Sequence, residues 1–442
     1  MSAKDIDRQP GTSANHRSLR ANLAAAVGRL AGRVSRITGH GAGGMVGGRV
    51  ALKIAPDLMA QFSRGREIVL VTGTNGKSTT TKMTARALSN LGPVAANLGG
   101  DNMTNGIMTA LFQSPDAPYA VLEVDEMHLP QIAAATNPKA IILLNLSRDQ
   151  LDRVGEIGAV EARLREAVAL VPDAAIIANC DDPLVASAAW DAPNVQWVSA
   201  GTAWHSDSTT FPRTGTLVNR DGDHWTVEGS DKYLRPTPDW TFTVEEPAEA
   251  KEALPSQDVF HIHGPEGEDL TVRLQLPGRA NRGNATQAAA AAAWLGVGGQ
   301  DIARSLGEVA GVAGRYQTYD IDGRLARLLL AKNPAGWQEA LTMIPSDAKQ
   351  IIISVNGQAP DGEDLSWLWD VDFSRITQIA PETVIASGER SADLAVRLAY
   401  AGVDCERIPD PLQAIKAMHP GAVEVLANYT SFRDLKKEIE RS

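Results

Sequence analysis

One stretch limits the fold more than any other: VTGTNGKSTTT, residues 71–81. It follows an apolar, β-rich run, EIVLV (67–71), and opens a helical pattern, KSTTTKMTARALSNL (77–91). A glycine-rich turn between a strand and a helix aims backbone N–H groups and the positive end of the helix at an anion. Gly73 and Gly76 let the backbone approach phosphates closely. Lys77 can reach the β and γ phosphates of a nucleotide, and the Ser78 hydroxyl can join a magnesium shell. The predicted ATP-binding set from this stretch is therefore Gly73, Thr74, Asn75, Gly76, Lys77, Ser78 and Thr79.

The pattern then repeats. AVLEV (120–124), AIILLNL (140–146) and AAIIAN (174–179) are further apolar runs with helical segments between them. Such alternation predicts an α/β fold, a parallel sheet with helices on both faces. A second α/β unit begins near residue 300, with strands expected at QIIISVN (350–356), TVIASG (383–388) and VEVLANYT (423–430). Each run ends in polar residues, at the strand end where open parallel sheets hold ligands. Between the units, residues 200–270 read as an inserted, irregular β-rich piece, with His261 and His263 on one solvated strand face. NATQAAAAAAWLGV (284–297) reads as an alanine-rich helix.

The N-terminal region differs. Residues 1–17 read as a polar tail. SLRANLAAAVGRLAGRVSRIT (18–38) has helical apolar spacing with Arg20, Arg29, Arg33 and Arg36 interleaved. The favoured reading is a helix packed on the domain with its arginines solvated; contact with a membrane surface is the alternative. GHGAGGMVGGRV (39–50) reads as a loop or close-packed connection.

Composition narrows the function classes. Lys plus Arg number 42 and Asp plus Glu 53, a net charge of −11. A net acidic chain is a poor candidate for nucleic acid. Two cysteines, Cys180 and Cys405, exclude a disulfide framework and an all-cysteine zinc site, and fit a reducing compartment. No apolar run has the length of a transmembrane span, and MSAKDIDRQPGTSANHR lacks the apolar core of a signal peptide. The expectation is a cytoplasmic protein, at most peripheral at the inner face of the membrane.

The phosphate loop is shorter than the longer Walker pattern, which has its first glycine where Val71 stands. TGTNGK[ST] resembles the Mur ligase superfamily, ATP-dependent enzymes that make amide bonds in peptidoglycan precursors and folates. EVDE (123–126) falls where that superfamily places a magnesium-binding acid at a strand end. Glu123 is the choice, ahead of Asp125 and Glu126. NLSRDQLDRVGE (145–156) is similar to the NxxxDHLD element, with Gln150 in place of the usual histidine. NCDDP (179–183) matches the NxDDP turn. GRANRGNATQAAAA (278–291) is similar to the adenine-contacting GxHNxxNAxAA element, which implies roles for Asn281 and Asn284. GVAGRYQ (311–317) implies that Arg315 contacts ATP.

Two departures point to one branch. Residues 151–200 contain no lysine, so the carbamylated lysine of the amino-acid-adding members cannot form. The ribose-binding motif with its Asp is replaced by LLLAKNPAGW (328–337). LAKNPAG, NGQAPDGEDLSWLWDVDF (356–373), SGERSADLAVRLAYAGV (387–403) and LANYTSF (426–432) resemble the MurT family, ligase subunits of lipid II isoglutaminyl synthase. The implied organisation is an N-terminal tail and amphipathic helix (1–48), a central P-loop Mur ligase domain (49–298) with a degenerate ribbon insertion (200–245), and a Rossmann-like C-terminal domain (299–442). Phe211, Thr214, Val227 and Ser230 stand where many family members carry the four cysteines of a zinc ribbon. A ribbon without zinc is expected, held by Trp204, Phe211, Trp225 and Tyr233.

The resemblance implies ATP- and Mg²⁺-dependent amidation of the D-isoglutamate α-carboxylate in lipid II through an acyl phosphate. A GatD-like glutamine amidotransferase would be the heterodimer partner and ammonia source. An Asp of the C-terminal domain would orient that partner's Cys–His pair. Asp364 is the choice, then Asp361, then Asp370. Neither Cys180 nor Cys405 is expected to be a glutaminase nucleophile. The alternatives are an amino-acid-adding Mur ligase or folylpolyglutamate synthetase, and a nucleotide-switched scaffold without catalysis.

Overall fold

Strand β1 (Glu67–Thr72) sets the architecture, because its apolar residues alternate between two cores. Ile68 and Leu70 face one, Val69 and Val71 the other, and all four are fully buried. A strand buried on both faces needs helices on both sides. The computed structural model describes residues 17–37, 44–148, 157–202, 204–244, 258–265, 267–276, 278–309, 316–362 and 364–441. The tail 1–16, residues 149–156 with Gln150, and Arg315 lie outside them.

β1 joins β2 (Val94–Ala96), β3 (Tyr119–Glu123), β4 (Ala140–Leu143), β5 (Ala175–Asn179) and β6 (Val195–Val198) in a six-stranded sheet ordered β2-β3-β1-β4-β5-β6. Every pairing in it is parallel. The short edge strands β2 and β6 were not among the strands expected from sequence. The helix Lys77–Leu88 and the alanine-rich helix Arg279–Trp294 share the core on one face, where Met83, Ala87 and Leu88 meet Ala285 and Ala288–Ala292. Small side chains bring the two helices close. Gln287 reaches across to donate to the Leu143 carbonyl (2.9 Å).

The segment after β6 is more regular than its composition suggests. β7 (Val218–Asp221) and β8 (His224–Val227) form a two-stranded hairpin. β9 (Thr241–Val244), β10 (Asp258–His263) and β11 (Asp269–Leu274) form an antiparallel sheet. Phe260, Ile262, Val272 and Leu274 point from that sheet into the main core, so it is part of the central unit and not an irregular ribbon. The opposite face carries His261 and His263, which pair with Thr271 (3.1 Å) and Thr243 (2.9 Å) as solvated strand residues do.

The hairpin is held by an aromatic cluster. Phe211 and Trp225 are fully buried, and Tyr233 and Trp190 pack against them with ring centroids 4.8–6.4 Å apart. Phe211 and Val227, at two of the cysteine-equivalent positions, are inside this cluster. Trp204 is not: its indole donates to Asp207 (2.6 Å), and it lines a neighbouring cavity.

The C-terminal sheet contains β12 (Tyr316–Ile321), β13 (Arg324–Leu330), β14 (Gln350–Ser354), β15 (Thr383–Ser387), β16 (Glu406–Arg407) and β17 (Gly421–Ala427). Its order is β12-β13-β17-β14-β15-β16, with only the β12–β13 pair antiparallel. Here again alternate residues divide: Ile351 and Ile353 pack on one face, Ile352 on the other.

Of the two readings of the glycine-rich 39–50 stretch, the loop is corrected and the close packing is found: from Gly44 it belongs to a helix, Gly44–Ile54. Close packing explains it. A Cβ on Gly47 would lie 2.8 Å from the Gly28 carbonyl, and one on Gly48 would overlap the backbone of Asn105. Contact with two other helices outweighs the poor helix propensity of glycine.

The cluster under the hairpin makes a testable point. Trp225→Ala should destabilise the protein by about 3–5 kcal/mol, as expected for a buried tryptophan whose N–H also bonds the Cys180 carbonyl (2.9 Å). Chemical denaturation followed by intrinsic fluorescence measures it.

Candidate active site

The phosphate loop is shaped by its neighbour, the segment after β4. The Thr74 amide donates to the Asn145 carbonyl (2.9 Å), and the Thr74 hydroxyl exchanges bonds with Ser147. The Asn75 amide donates to Asn145 Oδ1 (2.9 Å), and Asn145 Nδ2 returns a bond to the Asn75 carbonyl (3.0 Å). Gly73 and Gly76 have positive φ, 134° and 88°. A Cβ at Gly76 would sit 2.6 Å from Asn284 Oδ1, so glycine is required by conformation and by space. Asn145 lay inside a recognised motif, but its clamping role was not read from sequence. Only the fold shows that β4 ends beside the loop.

Lys77 begins the helix. Its Nζ donates to the Gly73 carbonyl (2.6 Å) and the Thr74 carbonyl (3.3 Å), and pairs with Glu126 Oε1 at 2.9 Å. Both members of the ion pair are largely buried. A partly buried ammonium with a carboxylate partner and two carbonyl acceptors is held in place.

The three acids of EVDE take separate roles. Glu126 holds Lys77. Asp125 accepts from the Met127 amide (3.0 Å), capping a short helical turn. Glu123 is buried at the end of β3, its backbone bracketed by Asn97. Its Oε2 is buried with no partner, and its Oε1 has only Asn102 at 3.5 Å. A buried carboxylate oxygen without a donor is costly unless a cation completes it.

Lys77, Ser78 and Glu123 line one cavity of about 310 Å³ between the two sheets, together with Asn281 and Asn284. Its far wall comes from the C-terminal unit, at Leu329, Lys332, Gly336 and Glu339. A second cavity adjoins it, lined by Asn145, Asn179, Trp204, Arg279, Asn284 and Glu339 among others. Asn75 Nδ2 donates across the cleft to Asn333 Oδ1 (3.3 Å), and Asn333 caps the helix Pro334–Thr342. Six of the sequence-chosen residues (Thr74, Asn75, Gly76, Lys77, Ser78 and Thr79) therefore meet Asn281, Asn284 and Glu123 at one place. Gly73 shapes the loop from behind. The donor set fits a magnesium nucleotide: a hydroxyl and an orphaned carboxylate oxygen suit a hard cation. Among the described residues there is no group of three or more His, Cys, Asp or Glu arranged to hold a metal on its own.

The C-terminal candidates separate cleanly. DGEDLSW lies beyond the carboxyl end of β14, where the Asn428 side chain accepts from the Asn356 amide (3.0 Å) and donates to the Asn356 carbonyl (2.7 Å). Asp361 is buried and accepts from the Thr430 amide (2.9 Å) and hydroxyl; burial pushes its carboxyl up, and the Thr430 bonds oppose this. Asp370 is 3.7 Å from Arg148 of the central unit. Asp364 is exposed, and its carboxyl, held below the usual carboxylate range by Ser366, accepts from that residue's amide (2.8 Å). Cys180 is buried, and burial pushes its thiol up, which leaves it inert. Cys405 is pushed up too.

Sequence reasoning missed Glu339. It stands on the helix Pro334–Thr342 and touches both cavities, with Oε2 buried and unpartnered. Burial pushes its carboxyl up to about 7, against the pull of Arg279 and the Ala280 amide. A carboxyl raised above its unfolded value favours the protonated form. Its contribution to stability is present below the ordinary carboxyl value of 4.5 and is lost as pH rises through about 7. Glu339→Gln should therefore raise Tm at about pH 8 by roughly 2–4 °C and change it little at about pH 5. Thermal melts of both proteins at the two pH values check this.

Comparison with known proteins gives the family. Residues 71–292 match the Mur ligase middle domain, and residues 330–432 match the MurT ligase C-terminal family. The chain is 30% identical to the lipid II isoglutaminyl synthase (glutamine-hydrolyzing) subunit MurT of Streptococcus pneumoniae R6, over 94% of this chain and 97% of that protein. It is 28% identical to the subunit of the same name from Staphylococcus aureus COL, with the same coverage. The crystal structure of MurF from Acinetobacter baumannii shares the fold, with a TM-score of 0.65 at 20% identity over 89% of this chain and 81% of that one. The phosphate loop lies in a Mur ligase middle domain, and the chain belongs to the MurT family.

Proposed function

We propose that this chain is the ligase subunit that converts the α-carboxylate of D-isoglutamate in the lipid II stem peptide to the amide, through an acyl phosphate. A GatD-like glutaminase bound as a heterodimer partner would supply the ammonia. The observation that carries the reading is the convergence of Lys77, Ser78 and the unpartnered Glu123 oxygen in one cleft. The names of the MurT relatives support the substrate and the use of glutamine.

A carboxylate resists amines because its oxygen is a poor leaving group. Transfer of the γ-phosphoryl group to that oxygen makes phosphate the leaving group, and ammonia then attacks the carbonyl carbon. Ser78 and Glu123 would hold Mg²⁺, which neutralises charge on the phosphate oxygens when bound. Lys77 stabilises the charge that develops on the transferring group. The loop amides and the helix start bind the phosphates, and Asn281, Asn284 and Arg315 contact the base and ATP. The working division is a central domain over 49–298 and a C-terminal domain over 299–442. A cytoplasmic location follows from the substrates.

For the partner, Asp364 is the residue we assign to orient the glutaminase Cys–His pair. Its exposure supports this, since a carboxylate buried within the fold, like that of Asp361, cannot reach a second chain. Exposed Trp369 and Tyr400, in edge contact at 5.3 Å, lie on the same C-terminal unit and offer the aromatic anchors that protein interfaces favour.

Two substitutions test the reading. Lys77→Ala should lower amidation of lipid II at least about 10³-fold with either glutamine or ammonium as donor, measured by the one-unit mass loss of acid-to-amide conversion. A scaffold role would survive the substitution as retained partner binding without any amidation in the wild type. Asp364→Asn should remove most glutamine-dependent product and spare ammonium-dependent product. Equal loss with both donors would exclude its role toward the partner.

A further inference from the structure

The helix Leu19–Ile37 is packed with its small residues inward. Ala21, Ala24, Ala25, Gly28 and Gly32 are buried against the helix Gly44–Ile54 and the helix Thr104–Gln113. The large apolar residues face out. Leu19 is 89% exposed, Leu23 61%, Leu30 63%, Val34 52% and Ile37 85%. At about 100° per residue, these five and Ala26 fall within a sector of about 80°. An amphipathic surface helix normally does the reverse and buries its leucines. Met45 and Val46, at the start of the next helix, are also exposed (37% and 40%).

Charge is just as one-sided. The two helices carry Arg20, Arg29, Arg33, Arg36, Arg49 and Lys53, with no aspartate or glutamate, in a chain of net charge −11. Arg20 and Arg29 donate to the Ile54 (2.6 Å) and Phe112 (3.0 Å) carbonyls, which fixes cationic groups beside the stripe. Both helices sit on Thr104–Gln113. The loop before that helix, with Gly100 and Asn102, lines the nucleotide cleft.

We propose that the helix Leu19–Ile37 docks this protein on an anionic phospholipid bilayer, with its leucine stripe at the acyl boundary and its arginines among the headgroups. Apolar area and basic charge on one surface are what such a membrane selects, and neither needs the other's partner to be a protein. Residues 1–16 contain only Met1 and Ile6 as large apolar side chains. A lipid-linked substrate would be met at this surface, but the docking stands apart from the amidation reading.

The test is sedimentation of the full chain with vesicles of phosphatidylglycerol and phosphatidylcholine, or of phosphatidylcholine alone. Binding is expected to the anionic vesicles, to fall about tenfold or more between 0.1 and 0.5 M salt, and to be weak on phosphatidylcholine. Leu23→Glu with Leu30→Glu should abolish it while leaving the thermal melt unchanged, because both side chains are exposed. Arg33→Glu should weaken it severalfold. Wild-type protein that stays in the supernatant at low salt, equal binding to both vesicle types, or equal binding by the double variant would each overturn the proposal. So would a wild-type dimer in light scattering that the double variant dissolves, which would assign the stripe to a second copy of the chain. Amidation of detergent-dispersed lipid II is a separate readout, so loss of one reading leaves the other standing.

Discussion

The reciprocal bonding of Asn75 and Asn145 is the contact on which the site depends. A loop that turns its amides toward an anion cannot satisfy all of its own polar groups. Here the Thr74 and Asn75 amides are satisfied by the end of β4, through the Asn145 carbonyl and side chain. The Asn75 side chain then turns the other way, to Asn333. One short loop is thus tied to the central sheet on one side and to the C-terminal unit on the other. Those ties hold the glycines at positive φ and point the start of the Lys77 helix into the cleft.

The same device recurs in the C-terminal sheet. The Asn428 side chain, just past β17, brackets the Asn356 backbone just past the adjacent parallel strand β14, and the Asp361 carboxylate locks the following loop to Thr430. In both places an amide side chain satisfies backbone groups where a strand ends and the ladder can no longer do so. The consequence for function is selective. The buried acid serves the loop, while the acid three residues on is exposed and, among the described residues, bonds only its own turn.

Local propensity lost to packing at the N-terminal helices. Glycines that read as a loop became helical because two other helices approach within contact of their backbones. The alanine and glycine face of Leu19–Ile37 was likewise taken by close helix contact, so its leucines had no core to enter. Interaction of small faces and exposure of large ones are a single outcome of that geometry.

Much of the site was legible in the chain itself. A strand, a short glycine-rich turn with Lys77 and Ser78, and a helix can be recognised without coordinates, because the chemistry is contiguous. Glu123 was legible for a related reason: an acid at a strand end faces the ligand edge of a parallel sheet. Glu123 was already preferred to Asp125 and Glu126 from sequence; the tertiary structure adds that Lys77 pairs with Glu126, that Asp125 caps a short turn, and that Glu123 keeps an unpartnered buried oxygen. Asn145, Asn333 and Glu339 were invisible as site residues because each comes from a distant part of the chain. Sequence order carries local chemistry and periodicity; which remote side chains share a cleft, and which face of a helix meets a neighbour, are settled by close packing alone.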